Sequence, residues 1–86
     1  MKYKFSKHLM DVLEKRKEIK REWIIETLKN PDYVERKSDK ELRFWKAIKE
    51  YENRYLRVVY NPQSSLVVTA FFDRTFKRRF KNENKI

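Results

Sequence analysis

Apolar residues recur at helical spacing in two segments near the start of the chain. Residues 7–17 carry an apolar stripe, and Ser6 precedes them where an N-cap side chain would stand. Residues 20–29 repeat the pattern, and Pro31 ends it because the residue before a proline disfavours the α region. The apolar positions are Leu9, Met10, Val12 and Leu13 in the first segment and Trp23, Ile24, Ile25 and Leu28 in the second. The sequence therefore predicts two consecutive helices.

The remaining apolar residues alternate with polar ones, which is typical of strands. Tyr3-Lys4-Phe5 does so briefly before the first helix. Longer runs follow the helices at 33–37, 42–51, 54–60 and Leu66–Phe72. Short polar segments separate these runs, so consecutive strands are expected to pair antiparallel. The pattern predicts an α+β domain in the order β-α-α-β-β-β(-β), with both helices packed on one face of a three- to four-stranded antiparallel sheet.

Alternation gives this predicted sheet an apolar face and a mixed face. The apolar face, expected to lie under the helices, comprises Leu42, Phe44, Ile48, Leu56, Val58, Tyr60, Leu66, Val68, Ala70 and Phe72. The mixed face comprises Arg43, Trp45, Ala47, Tyr55, Arg57, Val59, Val67, Thr69 and Phe71. Rings that stack on bases and guanidinium groups that hold phosphates suit single-stranded nucleic acid. Alternatively, Trp45 and Phe71 pack under the C-terminal segment or form an interface with a partner protein.

Composition removes several classes of function. The chain has 86 residues, with no glycine, no cysteine and one histidine. A dinucleotide fingerprint and a P-loop both need glycine beside a phosphate, so no nucleotide cofactor is expected. One histidine without cysteine predicts no zinc site or other metal site. The lack of cysteine indicates a reducing compartment, the cytoplasm, and no apolar run reaches the ~20 residues that span a bilayer.

Positive charge is concentrated near the end of the chain. The formal net charge is +10, and residues 74–86 carry six basic side chains and one acidic one. We expect one domain at 1–73 with a basic extension at 74–86, and a polyanionic partner such as RNA. Phosphate contacts are expected from Lys15, Arg74, Lys77, Arg78 and Arg79. A solvated tail is the alternative. Phe76 and Phe80 lie four apart in this extension, but two rings offer too little apolar area to predict membrane binding.

His8 is the candidate acid or base of the chain. It lies one turn into the first predicted helix, and Lys15 follows seven residues later on nearly the same side. Imidazole exchanges a proton near neutral pH, and a nearby cation would stabilise the charge of a phosphorane. A single histidine in a helix is also commonly a capping or packing residue.

Several short motifs, spread over residues 3–73, carry a resemblance to a known group of proteins. They are Phe5-Ser6-Lys7-His8, Lys15-Arg16, Leu28-Lys29-Asn30-Pro31, Arg54-Tyr55-Leu56-Arg57-Val58-Val59 and Val67-Val68-Thr69-Ala70-Phe71. Together they resemble small domains related to the BrnT and RelE toxins. These toxins belong with the barnase, EndoU, colicin and RelE group of metal-independent RNases. The resemblance implies a small toxin-type RNase, with two N-terminal helices against an antiparallel sheet and an acidic antitoxin as its protein partner.

The resemblance also implies roles for individual residues. His8 matches the histidine of the first helix, and Arg16 matches the basic residue near the end of that helix. Arg57 and Thr69 match a basic and a polar strand residue, while Tyr55 and Arg74 are looser candidates. On this hypothesis His8 is the acid or base, Arg57 with Arg16 or Lys15 clamps the phosphate, Thr69 donates a hydrogen bond, and Tyr55 or Trp45 stacks on a base.

The sequence departs from this pattern at Val12, where relatives often carry arginine, and at Lys17-Glu18, where a glycine usually follows the helix. Two other functions therefore stay open. One is a nucleic-acid-binding module that does not cleave RNA. The other is a protein-interaction domain that uses Trp45, Phe71 and the Phe76/Phe80 pair.

Overall fold

Two short helices precede a run of four strands in the computed structural model, which describes residues 3–76. The helices are α1 (Lys7–Lys15) and α2 (Arg21–Lys29). The strands are β1 (Lys4–Phe5), β2 (Tyr33–Ser38), β3 (Glu41–Ile48), β4 (Arg54–Asn61) and β5 (Leu66–Phe72). The predicted α+β class and the predicted order of elements are confirmed.

The five strands form one mixed sheet in the order β1-β5-β4-β3-β2. The pairs β2–β3, β3–β4 and β4–β5 are antiparallel, as consecutive strands with short connections should be. β1 adds a parallel fifth strand, in which Lys4 pairs with Leu66 and Phe5 with Val67. The prediction of a purely antiparallel sheet with three to four strands did not include this parallel edge strand. A strand of two residues is too short for its sequence to indicate which strand it pairs with.

Ser6 caps α1, as the sequence predicts. Its Oγ accepts a hydrogen bond from the Leu9 backbone N–H at 2.9 Å, which satisfies one of the free donors at the helix start. The helix ends at Lys15 rather than at residue 17, because Arg16 leaves the helical region at φ −113° and ψ 84°. α2 ends at Lys29, just before the Asn30-Pro31 pair.

The connection between β3 and β4 shortens the predicted third strand. A 3₁₀ turn at Lys49–Tyr51 replaces the last residues of the run predicted at 42–51. Glu52 and Asn53 follow with positive φ values of 57° and 56°, which the chain adopts here without glycine. Asn53 then donates its backbone N–H to the Ile48 carbonyl at 2.9 Å, and this bond closes the hairpin.

A β-bulge in β5 changes the predicted division of faces. Val59 pairs with Thr69, but the next residue, Tyr60, pairs with Val67, so Val68 is an extra residue. Because of this extra residue, the side chains of β5 that precede the bulge lie on the face opposite to the one that strict alternation predicts. Val67 is consequently fully buried in the core, although alternation had assigned it to the mixed face. Ala70 and Phe72, which follow the bulge, pack in or against the core as predicted.

The core lies between the helices and one face of the sheet. Leu9 of α1 and Ile24 of α2 are fully buried against Leu56 and Val58 of β4. Aromatic rings close the rim of this core, including Tyr3, Phe44 and Tyr60 at one end and Trp23, Tyr51 and Phe72 at the other. Within residues 3–76, no helix has the length and apolar character that crossing a membrane requires.

Candidate functional site

Four residues of the mixed face form a row across four neighbouring strands. Strand register places Tyr33 beside Trp45, Trp45 beside Arg57, and Arg57 beside Phe71. The Arg57 guanidinium carbon lies 5.6 Å from the centroid of the Trp45 ring and 5.1 Å from that of Phe71. The cation is thus held between two rings, an arrangement that favours guanidinium because it is flat and weakly hydrated.

Phe76 covers the Trp45 end of this row. Its ring stacks on Trp45 with 4.7 Å between centroids and 11° between planes, and it also contacts Tyr33 and Tyr55. Trp45 is 1% exposed as a result. The prediction that Trp45 offers an open ring to a base is therefore wrong for this conformation. The stack with Phe76 agrees instead with the alternative prediction, in which Trp45 packs under the C-terminal segment.

Asp73 fixes this cover in place. Its Oδ1 accepts hydrogen bonds from the backbone N–H groups of Thr75 and Phe76 and from the Thr75 hydroxyl, at 2.8–3.2 Å. Its Oδ2 accepts the Trp45 indole N–H at 3.2 Å and lies 3.9 Å from Arg57 Nη1. Burial acts to raise the pKa of Asp73, but the hydrogen bonds outweigh it and leave the pKa below its ordinary value. The charged carboxylate is the form that holds the segment.

A groove of about 340 Å³ lies between α1 and β5 and brings together four of the predicted site residues, His8, Arg16, Thr69 and Phe71. His8, Val12 and Arg16, spaced four residues apart, line it from α1, and residues 69–72 line it from β5. The side chains that carry chemistry here are His8, Arg16 and Thr69. His8 lies on a helix that covers the core face of the sheet, whereas Thr69 was predicted on the mixed face. Both residues line the same groove.

Ser6 explains why His8 and Thr69 line the same groove. Its backbone N–H donates to the Val67 carbonyl at 3.0 Å, and its Oγ donates to the Val68 carbonyl at 2.6 Å. These bonds fix the start of α1 beside the bulge of β5. His8 follows Ser6 by two residues and Thr69 follows Val68 by one, so both lie next to the same anchored point.

Arg57 adjoins the groove through Phe71. Phe71 lines the groove and is also one of the two rings that hold the Arg57 guanidinium. The Arg57 side chain is 21% exposed, and among the described residues its buried Nε–H has no hydrogen-bond acceptor. Its Nη1 is the atom that faces Asp73. A buried donor without an acceptor is uncommon.

Other predicted site residues lie elsewhere. Tyr55 and Arg74 line a second cavity of about 270 Å³ with Arg54 and Asp73; Phe72 lines both this cavity and the groove, whereas His8 lines the groove only. Burial, followed by the charge of Asp32, raises the pKa of Tyr55. Arg43 pairs with Glu41 at 2.9 Å and with Glu35 at 3.6 Å, so its guanidinium already has partners. Lys15 is exposed at the end of α1. The remaining predicted contacts, Lys77, Arg78 and Arg79, lie outside the described residues, as does Phe80.

Asp73 is the residue of this surface that the sequence reasoning missed. It follows β5 directly, and Thr75 and Phe76 come two and three residues later. An aspartate placed so after a strand is a common capping signal for the segment that follows, and this signal could have identified it. Its link to Trp45 and Arg57 depends on the sheet register and had no local signal.

Among residues 3–76, no group of three or more histidine, cysteine, aspartate or glutamate side chains is arranged to hold a metal ion. The family model described as "Domain of unknown function (DUF4258)" matches residues 5–72. The chain belongs to the DUF4258 family. No curated protein and no solved structure matches this DUF4258 domain. All residues of the His8–Thr69 groove fall inside the DUF4258 match, whereas Asp73 and Phe76 follow it.

Proposed function

We propose that this DUF4258 domain is a small metal-independent endoribonuclease of toxin type, related to the BrnT and RelE toxins. The observation that carries the proposal is that His8, Arg16 and Thr69 line one groove. These are a proton-exchanging group, a cation and a hydroxyl, which are the types of side chain that RNA cleavage without a metal requires. Arg57, one strand further in, adds a second cation with an unsatisfied Nε–H.

In the proposed reaction, neutral His8 takes the proton from a ribose 2′-hydroxyl. The 2′-oxygen then attacks the adjacent phosphorus, and the bond from phosphorus to the 5′-oxygen breaks. The products are a 2′,3′-cyclic phosphate and a 5′-hydroxyl, whose oxygen takes its proton from water. Arg16 and Arg57 offset the charge that develops on the phosphorane, and Thr69 donates a hydrogen bond to one of its oxygens.

This function implies RNA as the substrate, the cytoplasm as the compartment and, for a toxin, an acidic antitoxin as the partner that neutralises the basic surface. It needs no bound cofactor. The Tyr55 cavity has no step in this reaction, so Tyr55 is left out of the proposed mechanism.

The test is cleavage of mixed single-stranded RNA in EDTA by the wild type and by His8→Ala. We expect the wild type to produce 2′,3′-cyclic phosphate ends and His8→Ala to be slower by about 100-fold or more. Lys7→Ala is the matched control, because Lys7 is exposed on the same helix and does not line the groove. Equal cleavage by His8→Ala and the wild type would remove His8 from the mechanism.

A second candidate function is nucleic-acid binding without cleavage. Val12 favours it, because an apolar side chain stands between His8 and Arg16 along the groove, where the resembling RNases often carry arginine. RNA that is bound in the same assay but stays intact would support this function and exclude the first.

A further inference from the structure

The corner between α1 and α2 is the most strongly charged short stretch of the described surface. Five of the seven residues at 15–21 are basic and one is acidic. Every charged side chain among them is exposed. We call this stretch the basic corner; its cations are Lys15, Arg16, Lys17, Lys20 and Arg21.

The ion pairs that the structure describes lie outside the basic corner. Arg36, Arg43 and Arg54 each form an ion pair with a neighbouring carboxylate, at 2.9–3.5 Å. Within residues 3–76, none of the five corner cations does so. Lys20 and Arg21 contact rings instead, those of Trp23 and Phe5. Their charges are therefore uncompensated by the protein, apart from the nearby acids Glu18 and Glu22.

The start of α2 adds to the same positive potential. Lys20 is its N-cap residue and makes no side-chain capping hydrogen bond. The N-terminal end of a helix carries partial positive charge and is stabilised by anions, so Lys20 and Arg21 have the unfavourable sign there and Glu22 has the favourable one. The two cations outnumber this acid, so an anionic ligand would stabilise this end of the helix further.

The corner is also held in place. Ile19, at its centre, is 4% exposed and belongs to the hydrophobic core. Its backbone N–H donates to the Arg16 carbonyl at 3.2 Å. The cations therefore project from an anchored turn, and a ligand would not have to order that turn on binding.

Arg16 belongs to both the basic corner and the groove. Beyond the groove, Lys17, Lys20 and Arg21 continue the positive charge. A ligand that occupies the groove and also contacts these cations carries more than one phosphate, so it is a polynucleotide rather than a mononucleotide.

The groove decides between single-stranded and double-stranded ligands. Its volume of about 340 Å³ is that of a small-ligand site. A nucleotide can enter such a site only when its base is unpaired and unstacked. We infer that the basic corner binds the phosphates of a single-stranded RNA on one side of the nucleotide that occupies the groove. This inference rests on the proposed function and extends it to the substrate class.

The test measures salt-dependent binding by the full 86-residue chain. The probe is a fluorescent 2′-O-methyl RNA of about 15 nucleotides, single-stranded or annealed to its complement. Its blocked 2′-oxygen prevents cleavage, so binding is read separately. The corner variant is Lys17→Gln with Lys20→Gln. The matched control is Lys37→Gln with Lys40→Gln, two exposed lysines in and after β2 that also lack ion pairs within residues 3–76.

We expect the wild type to bind the single strand more tightly than the duplex. The affinity falls as the salt concentration rises, and each phosphate contact in a single strand adds about 0.7 to the steepness of a plot of log affinity against log salt. The corner variant loses two such contacts, so its plot should be less steep by about 1.4. The control pair should leave the slope unchanged. Equal effects of the two pairs, or equal affinity for both probes, would overturn the inference. So would a wild type that binds neither probe, and an acidic protein would then be the class of partner that fits.

The outcome is separable from that of the proposed function. Cleavage of unmodified RNA that depends on His8, with no loss of slope in the corner variant, overturns the inference alone. If the corner variant shows the less steep salt dependence but the wild type cleaves no RNA, the RNase mechanism is overturned. The basic corner would then be supported as the phosphate-binding surface of a domain that binds RNA without cleaving it.

Discussion

Phe76 lies parallel to Trp45, with 4.7 Å between the ring centroids, although the two residues are far apart in sequence. This stack closes one end of the aromatic row on the sheet face opposite the helices. Arg57 and Phe71, at the other end of the row, remain partly exposed beside the groove. The stack therefore closes Trp45 to solvent and leaves the Arg57 and Phe71 part of the row accessible.

Phe76→Ala should lower the free energy of unfolding by about 3 kcal/mol, because a buried phenyl ring is removed and Trp45 loses its cover. In a Trp23→Phe background, where Trp45 is the reporter, the fluorescence emission should also move to longer wavelength. Urea unfolding and emission spectra check both effects. Phe76→Leu, which keeps an apolar side chain there, should show smaller changes. An unchanged emission maximum would contradict the stack.

Because the pKa of Asp73 is lowered in the folded state, the free energy of unfolding depends on pH. A carboxyl group whose pKa is lower in the folded state stabilises the fold above its unfolded pKa of about 3.9, and this stabilisation is lost as the pH falls through the folded value. We expect the difference in stability between the wild type and Asp73→Asn to be largest near neutral pH and to shrink below about pH 4. Urea midpoints across this range measure it.

Asp39→Asn serves as the control for that pH series, because Asp39 forms an exposed pair with Arg36. Exposed pairs contribute little to stability, so its difference from the wild type should be small at every pH. A similar pH response in the two variants would mean that the Asp73 contacts do not hold the carboxylate as described.

Ser6→Ala should destabilise the protein by about 1–2 kcal/mol, because one hydroxyl both caps α1 and binds the Val68 carbonyl. Ser38→Ala removes a hydroxyl that accepts the Lys40 N–H at the exposed end of β2, its one side-chain hydrogen bond within residues 3–76, and it should cost less than about 0.5 kcal/mol. Chemical denaturation compares the two. Equal losses would show that Ser6 does not anchor α1 to β5.

Val12→Arg tests the groove as a reaction site. The substitution introduces a guanidinium between His8 and Arg16, where the phosphorane would form, and we expect cleavage of single-stranded RNA to accelerate about tenfold. Val12→Lys should accelerate it less, because an ammonium group cannot bind a phosphate through two parallel hydrogen bonds. Slower cleavage by Val12→Arg would mean that Val12 packs against the substrate instead.

Local patterns in the sequence predict most of the fold. The helical stripe after Ser6, the stop at Asn30-Pro31 and the alternating runs each reflect the conformational preference of a few adjacent residues. Such preferences act within a turn or a strand, so they can be recognised without knowledge of the rest of the chain. They gave the α+β class, the order of elements and the antiparallel pairing of β2 to β5.

The candidate site was predicted in part. His8, Arg16 and Thr69 were named from residue type and resemblance, and the structure brings them to one groove. Tyr55 and Arg74 were named on the same grounds and line another cavity. Residue type indicates which chemistry a side chain can perform, but the distance between two side chains on different elements depends on how those elements pack.

The sequence by itself determined the helices, the strands and the excess of positive charge, because these follow from local backbone preference and from composition. Tertiary structure alone decided three further features. The bulge at Val68 buried Val67, the anchoring of Ser6 to β5 brought His8 and Thr69 to one groove, and the stacking of Phe76 closed over Trp45. Each of them joins residues that are distant in sequence, and their contacts form only when the sheet has its final register.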